Sequence, residues 1–131
     1  MTRDERVLGV AGLVLFLLAL LQGFFIPLFG NVDAAKAAHA TALGSGTFLI
    51  AVGLLWPKLA FGVRAASLWG AALATSLYSI AIGLTIGAMY PADAAQAHAF
   101  TATVSSVFDA LGGMVLIAAI IAVLLACRTG D

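Results

Sequence analysis

Charged residues are scarce in this 131-residue sequence, which contains six Lys or Arg, six Asp or Glu and two histidines, for a formal net charge of zero. It has no basic patch and no polar segment long enough to fold separately, so we expect neither nucleic acid nor a large soluble partner. The single cysteine, Cys127, excludes an intramolecular disulfide and a cysteine-based metal motif. Phosphate-binding loops, dinucleotide-binding glycine patterns and a recognisable catalytic serine set are also missing, so any difficult reaction would need a cofactor.

Hydrophobic residues are abundant instead, at 63% of the chain. The charges leave four uncharged windows, at 7–32, 37–57, 65–92 and 94–127, the last interrupted only by Asp109. Each window exceeds the roughly 20 residues that a helix needs to cross a bilayer, and the period-two pattern of a transmembrane barrel is absent. The sequence therefore predicts an all-α integral membrane protein, a four-helix bundle forming a single domain over 1–131, with helices at about 7–29, 37–56, 65–89 and 94–126.

Orientation follows from the distribution of Lys and Arg in the short connections. Lys36 alone lies on one side of the predicted membrane, and the other side carries Arg3, Arg6, Lys58, Arg64 and Arg128. We therefore expect a multi-pass protein of the inner (cytoplasmic) membrane with both termini cytoplasmic. The first apolar run is too long for a signal-peptide core, so we expect it to remain as the first helix.

Both histidines open predicted spans after similar runs, DAAKAAHATA at 33–42 and DAAQAHAFTA at 93–102. This similarity suggests two helical hairpins related by duplication and arranged as parallel repeats, although alanine-rich sequence can also produce it by chance. An imidazole near hydrocarbon is costly unless it binds something, which makes His39 and His98 candidate functional residues. The alternative for each is an interfacial histidine that hydrogen-bonds to loop carbonyls or water.

Predicted helices 3 and 4 each carry a stripe of small or polar residues. The small residues of helix 3 recur at every fourth position and predict a face that packs on another helix, within the protomer or across protomers; they are Ala71, Thr75, Ser79, Gly83 and Gly87. The stripe of helix 4 must face protein or a wet cavity; it consists of His98, Thr101, Ser105 and Asp109. Asp109 is the most costly of these, and it is either protonated and hydrogen-bonded to another helix or involved in proton transfer or cofactor orientation.

Three further positions bear on a possible site. Gly44 and Gly46 remove side chains near His39, which would let a flat ligand or another backbone approach. Tyr78 lies in the middle of helix 3 and could donate a hydrogen bond into a pocket, whereas Trp56 is expected to anchor at the membrane interface.

Two segments carry a resemblance to known membrane enzymes: FLLALLQGFFIP at 16–27 and AHATALGSGTFLIAVGLLWPKL at 38–59. Together they resemble the four-helix hydroxylaminobenzene mutases and are distantly similar to the membrane styrene oxide isomerases. The isomerase pattern is a histidine followed six and seven residues later by Asn-Gly, and here those two positions are Ser45 and Gly46.

The resemblance implies an isomerase that rearranges a small aromatic substrate in a water-poor membrane pocket. It implies that His39 binds the iron of haem b, with Gly46 beside the cofactor, and that the protein forms a homo-oligomer, by analogy a trimer. Ser45 and Tyr78 are then candidate catalytic residues, and Asp109 joins them because of its position in helix 4. Hydroxylaminobenzene to 2-aminophenol is the expected reaction, with styrene oxide to aldehyde as the alternative.

Two hypotheses of other classes remain open at this point. In the first, His39 and His98 clamp one haem for electron transfer. In the second, the protein is a non-catalytic membrane subunit or small carrier, in which Asp109 and the small residues of helix 3 serve assembly.

Overall fold

The computed structural model describes residues 2–91, 93 and 98–128, and all regular structure within them is helical. Helix α1 is Arg3–Phe25, α2 is Val32–Leu55, α3 is Val63–Gly87 and α4 is Ala99–Arg128. Single 3-10 turns, Ile26–Leu28 and Trp56–Lys58, extend α1 and α2. All four helices are long and apolar enough to span a membrane, which confirms the predicted all-α class with four spans.

Helix α2 begins at Val32, five residues before the predicted start. The side chain of Asn31 caps it by accepting a hydrogen bond from the backbone N–H of Ala34 at 3.0 Å. Asp33 and Lys36 form an exposed ion pair in the first turns, at 3.1 Å. The charged residues Asp33 and Lys36 mark the end of the apolar segment, but the helix itself continues through them. The predicted first residues of helix 4, 94–97, lie outside the described residues.

Helices α1 and α2 form an antiparallel hairpin through closely packed glycines. A Cβ at Gly53 would lie 3.2 Å from the backbone nitrogen of Gly9, and a Cβ at Gly46 would lie 2.9 Å from the carbonyl oxygen of Gly12. As residue numbers increase along α1, the numbers of the contacting residues in α2 decrease, so the two helices are antiparallel. Small residues allow this close approach of two membrane helices.

A second antiparallel hairpin is formed by α3 and α4, where Gly112 packs on the carbonyl of Ser76 and Ser105 on that of Gly83. Helices α1 and α3 run in the same direction, because Ala11 pairs with Tyr78 and Gln22 pairs with Thr85. The hairpins are therefore parallel, as the repeat hypothesis predicted. We call the end where α1 and α3 finish and α2 and α4 begin the distal end.

The core lies between α1, α2 and α3, where Leu8, Leu49 and Leu73 are fully buried. Helix α4 packs mainly on α3, and α1 and α4 are the most apolar helices, with bulky side chains on their outer faces. Trp56 is buried with 4% exposure, and its ring packs 5.3 Å from that of Phe61. The prediction that Trp56 anchors at the membrane interface is therefore wrong, because this tryptophan fills the space between α2 and α3.

Candidate functional site

His39 lies on the face of α2 that packs against α1, near the distal end. Its Nδ1 is 2.8 Å from the carbonyl oxygen of Ala19. Because a carbonyl can only accept, Nδ1 carries a proton and donates it, so Nε2 is the ring nitrogen left for coordination. Among the described residues, Nε2 has no hydrogen-bond partner. This arrangement orients a histidine for coordination through Nε2.

Gly23 makes room for the imidazole. A Cβ at this position would lie 3.0 Å from Cε1 of His39 and 3.5 Å from its Nε2. The turn of α1 from Ala19 to Gly23 therefore forms one wall of the histidine site. Sequence reasoning missed Gly23, although its position directly after Gln22 in an otherwise bulky helix was a visible signal.

The glycines that follow His39 have different surroundings. Gly46 is buried two turns away, and a Cβ there would lie 2.8 Å from the backbone nitrogen of Phe16. Its contacts are therefore with the α1 backbone. A Cβ at Gly44 would meet nothing within 4 Å, and this glycine lies on an open surface of α2.

Ser45 is buried on another side of α2 from His39. It lines a cleft of about 300 Å³ between α2, α3 and α4, together with Phe48 and Leu116. This cleft is mostly apolar, and His39 does not line it. Ser45 and His39 therefore lie on different sides of α2.

Tyr78 and Asp109 lie at two further interfaces. The hydroxyl of Tyr78 donates to the carbonyl oxygen of Ala11 at 2.7 Å, between α3 and α1. Asp109 packs against Gly83 between α4 and α3, and its Oδ1 is buried with no hydrogen-bond partner among the described residues. The predicted site residues His39, Ser45, Tyr78 and Asp109 are thus not brought together within one chain.

A cavity of about 360 Å³ lies between α1 and α3, and Ala42 of α2 also lines it. Its lining is almost entirely apolar and includes Leu18 and Ile82, which are 51% and 45% exposed on the outer surface. The cavity therefore opens sideways between two helices, on an apolar outer surface. The ring of Tyr78 also lines it.

Gln22 and Thr85 form the polar end of this cavity. The amide nitrogen of Gln22 donates to the hydroxyl oxygen of Thr85 at 3.1 Å, and that hydroxyl donates to the carbonyl oxygen of Ala81 at 2.7 Å. Because the single hydroxyl proton is already used, Thr85 can only accept from Gln22, which fixes the orientation of the amide. Sequence reasoning missed this pair. An amide inside an apolar helix was the available signal.

His98 lies at the start of α4, with its ring stacked on that of Tyr90 at 3.8 Å between centroids and 16° between planes. It lines a partly polar pocket of about 210 Å³ with Thr101 and Ser105, as expected for the polar stripe of helix 4. His39 contacts α1, whereas His98 contacts the end of α3. A bis-histidine clamp formed within one chain is therefore not supported by these contacts.

Comparison with known proteins identifies the family. The family model described as styrene oxide isomerase matches residues 4–129. Hydroxylaminobenzene mutase HabB of Ectopseudomonas oleovorans is 43% identical over 54 residues, covering 41% of this chain and 33% of the relative. Hydroxylaminobenzene mutase HabA of the same organism is 35% identical over 88 residues, covering 51% of this chain and 65% of the relative.

The chain thus spans a third of the first relative and just under two thirds of the second. No solved structure matches it. The predicted resemblance to both groups of enzymes is confirmed. Because the family model covers nearly all of the sequence, the chain belongs to the styrene oxide isomerase family.

Proposed function

We propose that the protein is a membrane-embedded isomerase that rearranges a small aromatic substrate with no net redox change, most like hydroxylaminobenzene to 2-aminophenol. The observation that carries this proposal is the family match over residues 4–129, combined with two relatives named as hydroxylaminobenzene mutases. Conversion of styrene oxide to an aldehyde is the second candidate, which the name of the family favours.

The proposed cofactor is haem b, which His39 would hold through its imidazole. The donor chemistry fits: Ala19 holds the proton at Nδ1, and Nε2 is left as the coordinating atom. When bound, a ferric haem held by His39 would supply a Lewis-acidic iron. Ala19 and Gly23 set the orientation of the imidazole, and apolar helices packed over the site would exclude competing water.

Homo-oligomerisation, by analogy a trimer, completes this proposal. His39 is half-buried and lines none of the cavities described above, so a macrocycle bound to Nε2 would lie on the outer surface of the α1–α2 hairpin. A second copy of the chain would cover it there. Ser45, Tyr78 and Asp109 keep their proposed catalytic roles only if a neighbouring copy supplies them, because one chain holds them in separate grooves.

An absorption spectrum of the purified full chain, recorded together with a turnover assay for both substrates, tests the proposal. We expect a Soret band and 2-aminophenol formation, both lost in His39→Ala and both kept in His98→Ala. A band that depends on His98 would favour electron transfer, and a protein with no band and no turnover would contradict the proposal.

A second pair of variants tests the histidine geometry. Gly23→Ala places a Cβ 3.0 Å from the His39 ring, which must shift by a few tenths of an ångström, so we expect reduced haem retention. Gly9→Ala in the same helix meets nothing within 4 Å and should retain the wild-type haem content. Equal retention in both variants would contradict ligation in the observed orientation.

A further inference from the structure

We propose that the cavity between α1 and α3 binds the aromatic substrate on its way from the bilayer, and that Gln22 recognises the polar substituent of its ring. This inference rests on the proposed function for the identity of the substrate. It assigns a binding site that is distinct from the surface at Nε2 of His39.

Size and lining suit a one-ring aromatic molecule. The cavity measures about 360 Å³, whereas an apolar engineered cavity of about 150 Å³ is enough to bind benzene. Tyr78 and Thr85 both line it and are seven residues apart on α3, which corresponds to about 10 Å along the helix. A substituted benzene ring fits between the phenol of Tyr78 and the amide end of the cavity.

Gln22 supplies the recognition chemistry. Its amide nitrogen is held by Thr85, so Oε1 is fixed in place and has no hydrogen-bond partner among the described residues. In an apolar lining, an amide oxygen and the second amide hydrogen gain most from a ligand that can pair with them. The N–H and O–H groups of an arylhydroxylamine donate to Oε1, and the nearby apolar wall accommodates the ring.

The cavity is also placed where a substrate could move toward His39. Ala19 lines the cavity, and its carbonyl oxygen accepts the hydrogen bond from His39. Gln22 and Gly23 are adjacent, with Gln22 facing the cavity and Gly23 facing the imidazole. One turn of α1 therefore separates the two sites.

Access from the membrane follows from the exposed side chains at the opening. Leu18 and Ile82 line the cavity and are also half exposed on the outer surface. A small apolar molecule dissolved in the bilayer can enter between them without crossing water. A lipid chain could enter by the same opening, but it would leave the amide of Gln22 unpaired.

Binding of aniline and of toluene to the full chain in nanodiscs, with empty nanodiscs as the blank, tests this proposal. The two probes have similar rings, and only aniline carries a hydrogen-bond donor. Gln22→Met keeps the side-chain length and removes the amide, so we expect about five-fold weaker aniline binding with toluene unchanged within two-fold. In active protein the same variant should raise the KM for hydroxylaminobenzene more than it lowers kcat.

Ile82→Trp provides a second, independent variant, because an indole at the opening should weaken both probes at least five-fold. Ile117→Trp is its matched control, since Ile117 is 62% exposed on α4 and does not line the cavity. Three results would overturn the proposal. They are an equal loss of aniline and toluene binding in Gln22→Met, no effect of Ile82→Trp on either probe, and a copurified phospholipid that aniline fails to displace.

The binding measurements with aniline and toluene need neither haem nor turnover. If the probes bind as expected but no Soret band or turnover is found, the proposed function fails and the binding site stands. If the band and the turnover are present but the probe pattern is not, the binding site alone is wrong.

Discussion

At Gly46 the backbones of α1 and α2 come into direct contact. A Cβ would lie 2.8 Å from the backbone nitrogen of Phe16 and 2.9 Å from the carbonyl oxygen of Gly12, neither of which can move without displacing a helix. The sequence suggested that Gly46 leaves space for a flat ligand or for another backbone. The structure shows that Gly46 makes room for the backbone of α1. Its role beside the cofactor remains a prediction.

Substitution at Gly46 separates these two roles. We expect Gly46→Ala to destabilise the protein by about 1–3 kcal/mol, the usual cost of forcing atoms into a packed interface. Gly44→Ala, which meets nothing within 4 Å, should leave stability unchanged. Unfolding in mixed micelles measures both. A Gly46→Ala protein with wild-type stability but without haem would point to the cofactor role instead.

At the residue scale, the sequence could identify single polar side chains but not their partners. His39 was recognisable because an imidazole in an apolar span needs a reason. The pairing of Gln22 with Thr85 was not, because the two are 63 positions apart and only the parallel packing of α1 and α3 brings them together. The burial of Trp56 likewise depends on α3 and could not be deduced from its neighbours in the chain.

At the element scale, hydrogen bonds from serine hydroxyls to backbone carbonyls hold α3 and α4 together. Ser105 donates to the carbonyl oxygen of Gly83 at 2.7 Å, and Ser79 donates to that of Phe108 at 2.9 Å. Both bonds cross between helices. In contrast, the hydroxyl of Ser106 donates to Ala102 within its own helix.

Replacing these serines should weaken the hairpin by small amounts. Polar contacts between membrane helices are worth about 0.6 kcal/mol on average, so we expect Ser105→Ala and Ser79→Ala each to cost about that much. Ser106→Ala is the matched control and should cost nothing measurable. Detergent unfolding of the three variants provides the measurement, and an equal loss in Ser106→Ala would show that the interhelical bonds carry no stability.

The predicted small-residue face of helix 3 is confirmed only in its distal half. Gly83, Gly87 and Ser79 contact α4, whereas Thr75 and Ala71 are exposed. Strict four-residue spacing advances about 40° around a helix at each step, since one turn takes 3.6 residues. The small residues that contact α4 at the distal end are therefore followed, toward the start of α3, by small residues that point away from α4. The spacing in the sequence alone did not show this.

At the scale of the whole molecule, the hydrophobic windows predicted four spans. Charged residues continue α1 and α2 at their starts beyond the predicted windows, and α1 ends earlier than predicted, at Phe25 before Pro27. The orientation in the membrane remains a prediction. It is based on one basic residue, Lys36, on one side of the predicted membrane and five on the other. The hairpins are parallel, as expected for two consecutive hairpins that start on the same side of the membrane. Their origin by duplication, which the two histidine-containing runs suggest, stays a prediction. Which grooves the site residues occupy could not be predicted, because this depends on how the hairpins dock.

Cys127 offers a direct test of orientation because it lies at the end of α4, next to Arg128, and is the only cysteine in the chain. A thiol reagent that cannot cross membranes should label it in inside-out vesicles and fail to label it in intact spheroplasts. Lys36→Cys in a Cys127→Ser background should show the opposite pattern, since Lys36 lies at the distal end. Labelling of Cys127 from outside would reverse the proposed topology.

The cavity between α1 and α3 has walls from both hairpins, whereas the most extensive helix contacts lie within each hairpin. Sequence neighbours can pair as soon as they are inserted, so each half of the chain can form before the halves meet. The cavity then exists only once α3 has settled on α1 and α2. A molecule bound in this cavity contacts both hairpins. Its binding therefore stabilises the docked arrangement of the two hairpins, and docking in turn favours its binding.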